Sequence, residues 1–288
     1  ALPDANAAEA PHRELQDLAR LAQVAVEIER LLEGFDGRNP GGFTRLHGLL
    51  ERQHYRLASW RTAADDINWR RFFDVNELGG LRVERPTVFE ATHGKVFELI
   101  ASGLVDGLRI DHIDGLADPR GYCRKLRRRT TALLAQRPLS AALEHLPIYV
   151  EKILGPGETL HRDWLVDGTT GYEFMNQVSL LQHDPAGEDT LTRLWLDVSE
   201  RPAFVDELRQ ARQLVLQGTL AGDFESVAQA LLQVARDDVM TRDLTFGAIR
   251  RALQALVEHY PVYRTYINAL GRPAEDERFF QQALLGAR

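Results

Sequence analysis

The stretch Val105-Asp106-Gly107-Leu108-Arg109-Ile110-Asp111-His112-Ile113-Asp114-Gly115 constrains this chain more than any other. It reads as a short apolar strand that closes on a cluster of charge. Val105, Leu108 and Ile110 supply a buried element, and Gly107 lets another backbone come close. Arg109 and Asp111 stand two residues apart, so on a strand they project to one face. A cation beside a carboxylate at the C-terminal end of a strand is the arrangement of a (β/α) barrel active site. The arginine favours an ionised aspartate, because an opposite charge a few ångströms away stabilises the charged form. An ionised carboxylate so placed can attack carbon. The plain alternative is a surface ion pair at a strand end, a common feature worth little.

A second apolar run, Leu146-Pro147-Ile148-Tyr149-Val150-Glu151-Lys152-Ile153-Leu154, closes on another carboxylate, Glu151, forty residues after Asp111 (151 minus 111). Between the two runs, residues 119–136 read as a helix. It starts at a proline, suited to a first helical turn, and carries Tyr122, Leu126, Leu133 and Leu134 among basic residues. Strand, helix, strand is a crossover unit with both strands parallel. Asp111 and Glu151 then emerge at the same end of neighbouring strands. Two carboxylates facing one cleft, about 5–5.5 Å apart, are the minimum for retaining glycoside chemistry.

Gly107-Leu108-Arg109-Ile110-Asp111 resembles the nucleophile motif of the α-amylase superfamily, and Val150-Glu151-Lys152 resembles its acid/base motif. Further segments narrow the likeness: 67–73 (Ile-Asn-Trp-Arg-Arg-Phe-Phe), 111–119 (Asp-His-Ile-Asp-Gly-Leu-Ala-Asp-Pro), 151–158 followed by Asp163-Trp164 and Gly168-Thr169-Thr170-Gly171-Tyr172, and Pro261-Val262-Tyr263-Arg264-Thr265-Tyr266. Together, from about Leu49 to about Ile267, they resemble the maltooligosyltrehalose synthases. These are enzymes that turn the reducing end of a maltodextrin into a trehalose unit.

The resemblance implies an intramolecular transglucosylase of trehalose biosynthesis with a maltooligosaccharide substrate. Asp111 is its nucleophile, Glu151 its acid/base, and Arg109 the group that orients the nucleophile. The expected substrate-binding residues are His112, Asp114, Trp69, Arg70, Arg71, Phe73, Lys152, Trp164, Thr170 and Tyr172. Trp164, Thr170 and Tyr172 are expected to line a pocket on the loop after Glu151. Hydrolases of the superfamily commonly carry lysine and histidine three and four residues after the nucleophile. Here those places hold Asp114 and Gly115, an acidic group with open space expected beside it. An α-amylase-type hydrolase and a catalytically incomplete carbohydrate-binding or scaffold fragment are the alternatives. The family also has an earlier strand motif and a later one with a third aspartate, and neither has a match here. The chain therefore reads as the middle of a longer enzyme, needing barrel segments from elsewhere and inactive alone.

The expected fold class is α/β: a partial (β/α)8 TIM-barrel catalytic region plus a largely α-helical module. Residues 1–66 read as a helical segment leading into the barrel, 67–186 as the barrel part, and 187–288 as all-helical. The first ten residues lack periodicity and read as loose. Leu15, Leu18, Leu21, Val24, Ile28, Leu31 and Leu32 recur at helical spacing, so 12–35 reads as one helix with an apolar core face. A second helix is expected over 43–54, a short strand over 55–60 and a helix over 86–102. Residues 67–82 are aromatic and basic (Trp69, Arg70, Arg71, Phe72, Phe73), which suits a sugar's ring face and hydroxyls, or an ordinary packed loop. The glycine-rich stretch after Leu154 reads as an irregular loop. From Gly187 on, helices are expected over 190–198, 203–218, 224–236, 246–259 and 276–285.

Composition closes off other classes. With 35 Lys and Arg against 42 Asp and Glu, the net charge is −7, which argues against a nucleic-acid backbone or an anionic membrane as partner. The one cysteine, Cys123, cannot form an internal disulfide and reads as a buried, inert thiol. No cofactor is expected. No metal site is expected either: there is no His/Cys cluster, and Asp111-x-x-Asp114-Gly115 lacks the alternating acids of a calcium loop. The chain has no signal peptide and no long apolar run, so the expected setting is cytoplasmic.

Overall fold

Leu108 and Ile110 are half-buried with Arg109 exposed between them, and Ile148 and Val150 are fully buried with Tyr149 exposed between them. That period of two makes both runs strands with one covered face. A computed structural model describes residues 5–268 and 271–288. The chain divides into two compact units, residues 1–62 and 63–288.

The first unit is helical: α1 (Ala5–Ala19), α2 (Ala22–Glu33) and α3 (Gly42–Leu50), then a 3-10 turn over Trp60–Thr62. Four expectations fail here. Residues 5–10 are helical rather than loose, while 1–4 lie outside the described residues. The single helix over 12–35 is two, parted where Leu21 takes an extended conformation (φ −80°, ψ 119°). Its apolar face is not a core: Leu15, Leu18, Leu21, Leu31 and Leu32 are all exposed and α2 buries no residue. Two short helices and a nine-residue third offer too little facing surface to cover the stripe within this unit. No strand forms over 55–60, where Tyr55, Leu57 and Trp60 are exposed with no neighbouring edge to complete a ladder.

The second unit opens with the short α4 (Ala63–Asp66) and a two-stranded antiparallel hairpin, β1 (Arg71–Phe72) with β2 (Val75–Gly79). Next come α5 (Pro86–Ala101), β3 (Leu108–Ile110), α6 (Pro119–Leu134), β4 (Ile148–Val150) and β5 (Gly168–Thr169). β3, β4 and β5 form one parallel sheet in that order, with Leu108 opposite Ile148, Ile110 opposite Val150 and Val150 opposite Thr169. Helices starting at prolines and strands joined by α6 match the expected crossover unit. α6 is further capped by the Asp118 carboxylate, which accepts from the Gly121 N–H at 2.8 Å.

One core serves this region. Phe89, Phe97 and Ile100 of α5 meet Tyr122, Cys123, Leu126 and Leu133 of α6 over Ile148 and Val150, with Ile113, Trp164 and Tyr266 joining. The opposite face, carrying Arg109 and Tyr149, is open. Asp167 ties β4 to β5: its carboxylate accepts from the Ile148 N–H at 2.7 Å, and its N–H donates to the Ile148 carbonyl at 2.9 Å.

The rest is helical, as the periodicity indicates: α7 (Tyr172–Leu180), α8 (Glu188–Ser199), α9 (Phe204–Gln217), α10 (Ala221–Asp237), α11 (Phe246–Glu258) and α12 (Ala274–Ala287). β5 and α7 fall where the glycine-rich loop was expected. Two strand residues leave no alternation to read, and α7 begins behind Gly171 in the left-handed region (φ 91°), a turn signal that hid it. Among the described residues, no helix is long and apolar enough to cross a membrane.

Candidate active site

β3 and β4 end side by side, and the residues at and just past their ends deliver the charge. Arg109 Nη1 donates to Asp111 Oδ1 at 2.7 Å, and Arg109 Nη2 lies 3.7 Å from Glu151 Oε1. One planar guanidinium thus touches both candidate carboxylates. The hydrogen bond to Asp111 chiefly raises the Arg109 pKa; the charges of Asp111 and Glu151 add to it. The strands bring these ends together: the Glu151 N–H donates to the Ile110 carbonyl at 2.7 Å, continuing the ladder past β4. Asp111 is 58% exposed and Glu151 24%, so the nucleophile candidate stands in the open.

After Asp111 the backbone turns sharply. His112 takes a left-handed conformation (φ 44°), an uncommon state for a residue with a side chain and one that collects at functional sites. That conformation aims its N–H at Glu151 Oε2, 2.7 Å away. The His112 ring rests on Phe73, also left-handed (φ 52°), with centroids 3.9 Å apart. The ring also covers Gly115, where a Cβ would overlap it. The open space expected beside Asp114 is therefore filled by imidazole.

Asp114 is itself enclosed. Its Oδ1 accepts from the Tyr266 hydroxyl, and its Oδ2 lies 3.5 Å from Lys152 Nζ. Lys152, fully buried, makes its close pair with Glu158 Oε1 at 2.6 Å and sits over the Tyr266 ring. Burial first, then the Asp114 charge and the hydrogen bond to it, push the Tyr266 phenol well above its ordinary value, so it stays a donor.

A cavity of about 310 Å³ opens beside Glu151, lined by Phe73, His112, Asp114 and Lys152. Pro261, Val262 and Tyr263 form another wall, and nothing in their sequence alone marks them for it. Tyr172 reaches the site, its hydroxyl 3.5 Å from Glu151 Oε1. Other expected residues fall elsewhere. Arg71 is buried beneath the hairpin, donating to Asp223 at 2.7 Å, to the Thr219 carbonyl and to Asn76, so it braces β1 against α10. Trp164 is buried in the core, stacked on His161 and edge-on to Tyr266. Trp69 and Arg70 are exposed and do not line the cavity. Thr170 keeps its backbone on β4 through the Val150 carbonyl, while its hydroxyl is buried without a partner. A larger cavity of about 730 Å³, with His161, Trp164 and Tyr266 in its wall, holds neither candidate carboxylate. Size does not mark the site here; the carboxylates do. Among the described residues, no group of three or more His, Cys, Asp and Glu side chains could hold a metal ion.

No protein-family model matches the chain. Individual proteins do. A Mycobacterium tuberculosis (strain H37Rv) protein named as a maltooligosyl trehalose synthase is 34% identical over 252 residues, which is 86% of this chain and 29% of that protein. The solved structure of maltooligosyltrehalose synthase from Arthrobacter ramosus superposes with a TM-score of 0.69 at 34% identity, covering 88% of this chain and 29% of that one. A glycosyltrehalose synthase gives a TM-score of 0.60 at 33% identity. Over 86% of its length the chain is similar to maltooligosyltrehalose synthases. It spans 29% of the length of the relatives it matches.

Proposed function

We propose that this chain carries the nucleophile and the acid/base of an intramolecular glucosyl transfer at the reducing end of α-1,4-linked glucose chains. The observation that supports it most is the Arg109 guanidinium in contact with both Asp111 and Glu151 at the ends of adjacent parallel strands. The three-stranded sheet is read as an arc of a (β/α)8 barrel within residues 67–186. Its open face, bearing Arg109 and Tyr149, turns to the missing strands. Those strands and a third carboxylate come from other parts of the protein.

Asp111 attacks C1 of the penultimate glucose as Glu151 protonates O4 of the terminal one. The C1–O4 bond breaks, leaving a glucosyl ester on Asp111. The freed glucose turns in place, gives its 1-hydroxyl proton to Glu151 and attacks the same C1, releasing Asp111. Two inversions give retention and an α,α-1,1 linkage. Transfer outruns hydrolysis only where water is excluded and the acceptor is held. With Asp111 58% exposed, this chain alone cannot exclude water, so it forms no trehalose-ended product by itself. Asp114, held by Tyr266 and Lys152, shapes the pocket floor rather than swinging to the leaving sugar.

The test is turnover of maltopentaose by the full-length protein and by its Asp111→Asn variant. A trehalose-ended product from the first, none from the second, and retained maltopentaose binding in both are expected. If the wild type releases only free glucose and shorter maltodextrins, it is a hydrolase. Normal turnover by Asp111→Asn removes the nucleophile assignment.

A further inference from the structure

We propose that Arg264 and Tyr266 are positioning residues that hold the turn after Asp111 so that its backbone orients Glu151. The proposal rests on Glu151 being the acid/base. The turn, residues 112–116, has little regular structure of its own: a 3-10 turn of three residues entered through a left-handed His112. That entry is strained and persists only where the surroundings enforce it.

The enforcing groups come from 150 residues away. Arg264 Nη1 donates to the Asp114 and Leu116 carbonyls, both at 2.7 Å, so one guanidinium spans the turn. The Tyr266 hydroxyl takes the Asp114 carboxylate at the same place, and the Arg264 guanidinium lies over the Tyr266 ring, 5.1 Å from its centroid. Tyr266 is anchored in turn. Its N–H donates to Asp276 Oδ2 at 2.6 Å, and its ring meets Trp164 and His161 edge-on. Core, α12 and turn are thereby one assembly, and its output at the site is the His112 N–H 2.7 Å from Glu151 Oε2. Neither Arg264 nor Tyr266 lies within hydrogen-bonding reach of Asp111 or Glu151 themselves. Their action passes through the backbone.

The test uses the full-length protein, its Tyr266→Phe variant, which keeps the ring and loses the hydroxyl, and Arg264→Lys, which keeps the charge and loses the span. Hydrogen exchange of the peptide covering residues 111–117 is followed beside a peptide covering β4, and kcat and KM are measured on maltopentaose. In both variants the 111–117 peptide exchanges at least tenfold faster with β4 unchanged. The kcat falls on the order of tenfold, and KM stays within twofold, because misplacement of the catalytic group rather than lost binding is at issue. Exchange and kcat within twofold of wild type overturn the proposal. So does faster exchange with kcat retained, or a loss confined to KM. If Tyr266→Phe fails to fold, Arg264→Lys decides on the same readings. If the wild type forms no trehalose-ended product, the functional reading fails, and the exchange arm alone still decides whether these residues hold the turn.

Discussion

Lys152 Nζ stands 2.6 Å from Glu158 Oε1 with the lysine side chain wholly buried and the glutamate 5% exposed. The residue next to the candidate acid/base is thus a cation whose compensating charge comes from the following loop. Glu158 also closes that loop on itself by accepting from the Gly155 N–H at 2.9 Å. Breaking a buried pair by removing one partner leaves an uncompensated charge, a penalty of about 3–5 kcal/mol. Asp114 and the Tyr266 ring offset part of it here. Glu158→Gln is expected to destabilise the chain by about 3 kcal/mol in urea denaturation; a loss under about 0.5 kcal/mol would show that Asp114 alone suffices.

Gly115 lies under the His112 ring, and any side chain there must push the imidazole away. Gly115→Ala should cost about 1–3 kcal/mol of stability, the usual range for overpacking. In the full-length protein it should also lower turnover, since His112 carries the N–H that meets Glu151. Wild-type stability together with wild-type turnover would show that the ring is free to leave.

Burial would raise the Asp167 carboxyl, but the Ile148 N–H, His145 and Arg127 outweigh it and hold it below the ordinary carboxylate value. A folded pKa lower than the unfolded one gives stability that is present above the unfolded pKa and lost as pH falls through the folded one. The wild type should therefore lose stability from below about pH 4, and Asp167→Asn should flatten that part of the curve while being less stable at neutral pH. Parallel curves for the two proteins would remove Asp167 as a source of acid sensitivity.

Burial, followed by the Asp118 charge, pushes the Cys123 thiol up to about 12. The thiolate is the reactive form. The folded chain should leave a thiol reagent unreacted at pH 8 and release one equivalent after unfolding in guanidinium. Rapid labelling of the folded chain would place Cys123 at the surface.

The strands and their carboxylates were legible because both runs alternate and both close on charge, so Asp111 and Glu151 could be brought together from spacing alone. What the sequence hid was partnership at a distance. Arg71 reads as a sugar ligand in the sequence but is paired with Asp223, and Trp164 reads as a wall of the pocket beside Glu151 but is buried against His161 and Tyr266 and borders a different cavity. An aromatic or basic residue on a glycine-rich stretch fits cleft and core equally well, since composition does not say what faces it. The break between α1 and α2 carries no glycine or proline to announce it. The segment 261–266 stands out in the sequence, yet nothing in it names Asp114 as the group that Arg264 and Tyr266 hold.

In the proposed reaction Asp111 forms the bond to sugar while Glu151 moves the proton. The most direct measurement uses the full-length Glu151→Gln variant with an α-maltosyl fluoride, whose leaving group needs no proton. Without its base the second half-reaction stalls, and peptide mass spectrometry should find the sugar esterified to Asp111. A sugar attached to any other residue, or rapid turnover of the fluoride by the Asp111→Asn protein, would contradict the account.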